Sequence, residues 1–480
     1  MRRFLILAAV FSALLMGVFS CKKDKILTAA SARLQFSADT VFFDTVFSTI
    51  GSTTRHFLVR NPYNQPININ QIRLAGGVTS PFKVNVDGSP TVIGNDFQIA
   101  AKDSMYVFVK VTVNPLNVNN PMIITDSLIF NFNGKNQHVV LQAIGRDVYL
   151  HKPTSYILLS NGSSVPYSVV CNQTWTNDKP HLVFNYLVVD SGCTLTMQPG
   201  TRVYMHNSAV LWVYKGGSLI IQGSLNQPVN FAGDRLESDY TDIPGQWGNI
   251  WLSSLSRNNK IDWAVIKNAS IGILADTIDP SSGNPTLRLS NTLIKNMSVA
   301  GIYGRGSHIQ AYNVAISNCT QYSAALTIGG QYSFRQCTFA DYTTNGNRNN
   351  AQLLLNNYYT DINGSTQHRN LDSAHFYNCI VYGALSNELQ TDSSAAAGIH
   401  FNFLFDHCLL GTTLNTSAVQ HFNGNTLNMD PAFVDPVNNN LAIGASSAAK
   451  FLGPTNFGIS TDLAGHARPA TLTDAGAYQH

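Results

Sequence analysis

The stretch NTLIKN, Asn291 to Asn296, returns as NVAISN from Asn313, QCTFAD from Gln336, NCIVYG from Asn378 and HCLLGT from His407, and it is preceded by WAVIKN from Trp263. Apolar or small residues fill the second and fourth letters, and a polar or turn-forming residue usually closes the phrase. Equivalent positions Ile266, Ile294, Ile316, Phe339, Val381 and Leu410 lie 28, 22, 23, 42 and 29 residues apart by subtraction. A short motif at such spacing marks a chain that winds, each turn resting on the one before.

Each turn reads as three strands. The first carries the pairs Leu287/Leu289, Ile309/Ala311, Tyr332/Phe334, Ala374/Phe376 and Phe403/Phe405, and a two-residue corner follows. The second strand points Thr292/Ile294, Val314/Ile316, Cys337/Phe339, Cys379/Val381 and Cys408/Leu410 inward. The third is expected at Gly272-Ile273, Gly301-Ile302, Leu326 to Ile328, Leu353 to Leu355 and Gly398-Ile399. Period-two alternation places one side of every strand in a core, so three strands per turn imply a triangular tube.

Stacking then assigns roles. Asn268, Asn296 and Asn318 share the corner after the second strand, where stacked amides are expected to bond as a ladder. Cys337, Cys379 and Cys408 share one inward slot and are expected to be a buried stack of small hydrophobes. Val265, Leu293, Ala315, Thr338, Ile380 and Leu409 point outward as an apolar stripe, which requires a cover: the sandwich, the C-terminal tail or a partner. Insertions at corners (274–286, 342–350, 356–370 and 384–397) are where a ligand site is expected.

The rest of the chain is organised differently. Charged residues make up 12%, against about 25% in a typical soluble domain, and the net charge is +3. With no Lys/Arg-rich run after the first residues, nucleic acid is not an expected partner. Arg2 and Arg3, the apolar run Phe4 to Phe19, and Val18-Phe19-Ser20-Cys21 have the layout of a secretory signal and resemble the lipobox of bacterial lipoproteins. That resemblance implies cleavage after residue 20, acylation (palmitate-type) at Cys21 and a tether over 21–32, with the protein held on the outer membrane at its periplasmic face or at the cell surface. Residues 33–147 alternate apolar and polar in short runs separated by Asn61-Pro62, Asp87-Gly88 and Asn133-Gly134, which suggests an antiparallel sandwich; the region resembles immunoglobulin-like modules of bacterial surface proteins. Residues 148–180 read as a connector, interrupted by Lys152-Pro153 and Lys179-Pro180. Cys171 and Cys193 are a candidate disulfide pair in an exported chain.

From His181 the segments Gln198-Pro199-Gly200-Thr201, Gly216 to Leu219 and Pro244 to Ile250 resemble the opening coils of bacterial right-handed parallel β-helix proteins, the pectate-lyase-like superfamily. The tail from Asn428 carries Asp430-Pro431-Ala432-Phe433, Asp462-Leu463-Ala464-Gly465 and a closing Ala475-Gly476-Ala477-Tyr478, and resembles the terminal signature of such repeat proteins. The expected fold is therefore all-β, a sandwich followed by a three-sided right-handed parallel β-helix over 181–427 and a terminal coil and cap over 428–480.

Chemistry is less legible. The superfamily includes pectate lyases and polygalacturonases. A glycosidase needs two carboxylates at defined separation, and no paired-aspartate signature of polygalacturonases is present. The best catalytic cluster is Asp361, His368, Arg369 and Asp372, where acid, base and cation share one insertion. Asp239 and Asp242, with Asp234 and Glu237 nearby, are the residues considered for calcium; Asp276 and Asp279 are further acids, and no other cofactor is implied. Tyr358, Tyr359 and Tyr382 are candidates for stacking on sugar rings. The expected function is a non-catalytic, lipid-anchored envelope protein that binds glycan or protein ligands through corner loops; the alternative is a polysaccharide lyase or glycoside hydrolase.

Overall fold

A computed structural model describes residues 25–115, 121–159, 161–276, 284–343 and 348–480. The signal and lipobox, with Cys21, lie outside the described residues, as does Asp279. The chain divides into two compact units, Met1–Asp147 and Val148–His480. Both are all-β, and no α-helix occurs among the described residues.

The first unit has two five-stranded sheets. Their strands pair antiparallel, except that Lys135–Arg146 runs parallel to Thr40–Phe47. Alternation decides which side is wet: along Ser104–Val111, Met105, Val107, Val109 and Val111 are buried while Tyr106 and Phe108 are 49% and 39% exposed. The inward rows of both sheets meet in one core around Phe57, Phe82, Phe130 and Leu141. Residues 27–32, assigned to the tether by sequence, are held against this unit. Leu27 donates to the Pro66 carbonyl at 2.8 Å, and the Asn133 amide caps Leu27 and Ala29.

The second unit is built on a 27-stranded sheet, parallel except where Ser155–Leu158 meets Ser164–Val170. Its strands stack in three columns. In column one, Lys260 lies beside Arg288, Arg288 beside Gln310, Gln310 beside Ser333 and Ser333 beside His375. Column two runs Val265, Leu293, Ala315, Thr338, Ile380 and Leu409. Column three runs Ile273, Ile302, Ala324, Leu353 and Leu389.

Three expectations need correction here. The connector at 148–180 is not one: Tyr149–His151, Ser164–Val170 and Gln173–Trp175 are strands of the large sheet, and both Lys-Pro pairs fall between strands, where proline's missing N–H costs nothing. Gly398-Ile399 is not the next third strand; Leu389–Asp392, inside the segment expected to be an insertion, takes that place. The corner between the first and second strands is one residue, not two. Trp263, Asn291, Asn313, Gln336, Asn378 and His407, the first letters of the six phrases, all have φ between 48° and 53°. A single residue in the left-handed region turns the chain, and asparagine reaches that region at less cost than most residues bearing a Cβ.

Inside, aromatic rungs stack face to face. Phe334, Phe376 and Phe405 have centroids 5.1 and 4.6 Å apart at interplanar angles of 5° and 7°. Each is fully buried, contributing about 2–3 kcal/mol by area. Cys337, Cys379 and Cys408 are free and fully buried in the neighbouring slot. Burial pushes the Cys379 thiol well above its usual range.

Cys171 and Cys193 form a disulfide across adjacent rungs, with Cα atoms 4.7 Å apart. Rung spacing alone therefore does not keep stacked cysteines from bridging.

The apolar outer stripe of column two is covered by the C-terminal tail. Ile443, Ala449 and Ala475 pack on Ile380 and Leu409, and Leu441 and Ala477 pack on Ala315 and Ala340. Polar contacts fix the tail's register: the Ala477 N–H donates to Thr338 Oγ1 at 2.8 Å, and the buried Arg468 donates to Asn313 Oδ1 at 3.1 Å. Gly476, at φ 93°, lies where a Cβ would come within 2.6 Å of Ile380 and Thr338.

Candidate functional site: a cationic groove on column one

The outer side of column one is not covered in the same way. There Lys260, Arg288, Gln310, Ser333 and His375 form one row, and Ser290, Tyr312 and Arg335, two residues further along their strands, form the next. They line a groove of about 600 Å³ that also takes in His308 and Gln331. The opposite wall is Phe457-Gly458-Ile459 of the tail. Phe457 and Gly458 have φ of 53° and 78°, which turn the chain back, and the Asn378 amide holds the Thr455 carbonyl at 2.7 Å. The Phe457 ring lies 5.5 Å from the Arg335 guanidinium and 5.5 Å from the Tyr377 ring.

The groove's charge is one-sided. Lys260, Arg288 and Arg335 line it, and among the described residues no acidic side chain does. Two acids border it: Asp372 accepts from the lining residue Gln331 at 3.3 Å, and Asp262 lies 3.9 Å from the Lys260 amine. The Asp262 carboxylate is already engaged by Ser290 Oγ at 2.7 Å and Asn291 Nδ2 at 2.9 Å. His308 is held below the usual imidazole range by desolvation and by Arg288, and His375 by desolvation. Both histidines are therefore mainly neutral at pH 7, and His375 Nδ1 lies 3.3 Å from the Tyr377 hydroxyl. The arrangement offers fixed cations, neutral imidazoles and hydroxyls along a row with a rung repeat of about 4.8 Å.

The residues singled out from sequence lie elsewhere. Asp361 sits at the turn of the hairpin Tyr358–Thr360/Thr366–His368. It accepts from the Asn363 and Ser365 N–H groups and from Gln367, the backbone bond of Ser365 being the main cause of its lowered pKa. His368 bonds Ser394 Oγ at 2.9 Å, Arg369 lies over the Tyr359 ring, and Asp372 accepts from Gln331. Acid, base and cation thus turn to separate partners, because a hairpin puts its turn and its base at opposite ends.

Tyr358 donates to Asp392 at 3.0 Å, which raises its pKa. Tyr382 is half-buried beneath the tail with Ile380 and Ile443. The calcium candidates are not gathered either. Asp242 accepts from Asn296 at 2.8 Å, and Asp239 accepts from Ser238 Oγ at 3.4 Å. No group of three or more His, Cys, Asp or Glu side chains suited to a metal occurs among the described residues.

The expected asparagine ladder is corrected as well. Asn268, Asn296 and Asn318 do not bond one another; their amides donate to Thr241 O, Asp242 Oδ1 and Pro436 O, since loops 240–242 and 436–439 lie against that corner. A ladder exists at the other corner, where Asn313 donates to Asn291 at 3.1 Å and Asn291 to Asp262 at 2.9 Å.

One buried charged group was not singled out. Arg348 grips Glu388 through both guanidinium nitrogens at 2.6 and 2.7 Å and approaches Asp341 at 3.4 Å, with all three side chains at most 4% exposed. Burial raises Asp341 to about 7 despite Arg348. Glu388 also accepts from the Leu385 N–H at 2.8 Å, so the cluster ties two corner insertions together rather than facing the groove.

The chain matches no known protein family and no curated protein. Among solved structures it is similar to a family 123 glycoside hydrolase from Clostridium perfringens (8% identity, 23% of this chain and 25% of that chain, TM-score 0.17). It is also similar to a PapD-like domain of human CEP192 (10%, 27% and 94%, 0.17) and to a protein of unknown function from Porphyromonas gingivalis (12%, 28% and 57%, 0.17). The chain spans a quarter of the hydrolase's length.

Proposed function

We propose that this is a lipid-anchored cell-envelope protein with an immunoglobulin-like N-terminal module, whose second unit is a right-handed parallel β-helix that binds an acidic glycan along the column-one groove. The three-column pairing supports the β-helix reading, and the lipobox supports anchoring at Cys21. The observation that carries the binding proposal is Lys260, Arg288 and Arg335 lining one open groove that, among the described residues, no carboxylate lines. Carboxylate- or sulfate-bearing sugars suit it, because arginine pairs planar anions through two parallel hydrogen bonds. The groove lies on a sheet face walled by the tail, so the proposed site moves from the corner loops to that face.

The proposal is tested with an array of neutral and acidic polysaccharides, read for binding and for release of reducing ends or unsaturated products. Retention of acidic chains, lost in Arg288→Gln with Arg335→Gln, supports it; equal retention of neutral chains by both proteins refutes it.

A lyase reading is favoured by one observation: neutral His375 contacts Tyr377, and Tyr377 pairs in register with Arg335 on the neighbouring strand. A base and a proton donor beside a carboxylate-binding cation are what β-elimination from a uronate needs. Unsaturated product that disappears in His375→Ala would install it. Protease shaving of intact cells decides which membrane face the protein occupies.

A further inference from the structure

We infer that the loop end of the N-terminal unit is a docking surface for the phosphate headgroups of the membrane that carries the anchor. This rests on the lipid-anchor reading above and adds an orientation to it.

The sequence suggests a tether of a dozen residues, but the chain is tied down from Leu27 onward. Leu27 bonds Pro66, Asn133 holds Leu27 and Ala29, Lys135 reaches the Ala30 and Ala32 carbonyls, and Leu34 pairs with the Gln137 side chain. Whatever its path, the remaining segment from Cys21 to Leu27 spans at most about 21 Å. The longest strand of the unit, Lys135–Arg146, has 12 residues and so rises about 40 Å. A leash half that length fixes which end of the unit meets the bilayer: the end bearing Leu27, the 61–66 loop, the 100–103 turn and the 133–134 turn.

That end has the matching charge. Lys25, Arg33, Arg60 and Lys102 are exposed there and Lys135 is half-buried, against Asp103 as the exposed acid among the described residues. Ile26, 47% exposed, and the half-buried Tyr63 supply apolar and aromatic contacts. Lys102 and Lys135 also brace the surface, donating to the Pro62 and Ala30 carbonyls at 2.7 and 2.8 Å. Basic side chains within a Debye length of anionic lipid are drawn to it additively, and the leash holds them at that distance.

The test uses the full mature chain with Cys21→Ser, sedimented with neutral phosphatidylcholine vesicles or with vesicles enriched in phosphatidylglycerol. At least about tenfold stronger partitioning to the anionic vesicles is expected, abolished by Arg33→Glu with Arg60→Glu. Partitioning that ignores lipid charge, or that survives this variant unchanged, overturns the inference. Orientation is read in the acylated protein by energy transfer from a dye at Asn64→Cys to a membrane acceptor. A separation within roughly 30 Å is expected, and one beyond roughly 50 Å overturns the docking. Mass spectrometry of the N-terminus keeps the two failures apart: a chain without acyl groups defeats the anchor, whereas an acylated chain with a distant Asn64 dye defeats only the docking.

Discussion

Columns one and two of the second unit are built alike, yet their outer faces have opposite fates. Both stack strands in parallel register and bury their inner rows, with Phe403 of column one only partly buried. On column two the outer row is Val265, Leu293, Ala315, Thr338, Ile380 and Leu409, and the tail packs over it. On column one the outer row is Lys260, Arg288, Gln310, Ser333 and His375, and the tail only walls it with Phe457, Gly458 and Ile459. An apolar row gains by excluding water, whereas a row of cations would lose hydration without partners. The outer pattern of each column thus decides whether the tail seals it or leaves a groove.

The largest effect is expected from breaking the seal. Leu441, fully buried beneath the tail, should cost more than about 4 kcal/mol as Leu441→Asp, because an unpaired carboxylate would lie against Ala315 and Ala340; chemical denaturation checks this. Next is the buried ion cluster at the corner between columns two and three. Arg348→Met leaves Glu388 and Asp341 without their cation and should destabilise by about 3–5 kcal/mol. In the intact protein the folded state holds a proton on Asp341 up to about pH 7, while the unfolded carboxylate releases it near pH 4. Stability from this group therefore falls as pH rises across that window, and Asp341→Asn should flatten the fall.

The groove is expected to answer differently. Arg288→Gln with Arg335→Gln should change stability by less than about 0.5 kcal/mol, as befits exposed positions, while weakening acidic-glycan binding at least about tenfold. If the same variant unfolds the protein, the contrast between the columns collapses.

A separate effect, read against pH, is a titration at the first rungs of the sheet. His151 and His181 stack on Trp175, and burial lowers them to about 4 and about 3. The unfolded chain takes up those protons below the ordinary imidazole pKa, so stability is full above about pH 6.5 and falls as pH drops toward 4, by up to about 1.4 kcal/mol per histidine per pH unit. His151→Phe should reduce the slope in acid melts.

The rungs were legible because period two and a repeated phrase are local. Cys337, Cys379 and Cys408 could be placed in one slot without seeing a neighbour, and the outward stripe of column two announced its need for a cover. The groove was also written in the sequence, since Arg288 sits between Leu287 and Leu289. Its outward register with Lys260, Gln310, Ser333 and His375 is the signal the sequence carries, and it is masked by the stronger inward pairs and the uneven insertions. The Asp361–Asp372 cluster misled for a related reason: nearness along the chain does not say where a hairpin will aim its side chains.

By itself the sequence determined the alternation, the corner residues and which faces shun water, because these depend on each residue's own chemistry and its neighbours two positions away. Only the tertiary structure decided what lies against each face. The tail's choice of column two, the carbonyls that claim Asn268 and Asn318, and the acid-free lining of the groove all arise between residues a hundred or more positions apart, or across rungs whose spacing the insertions make irregular. Contacts of that kind are fixed by packing and by the pairing of buried polar groups, and no local pattern encodes them.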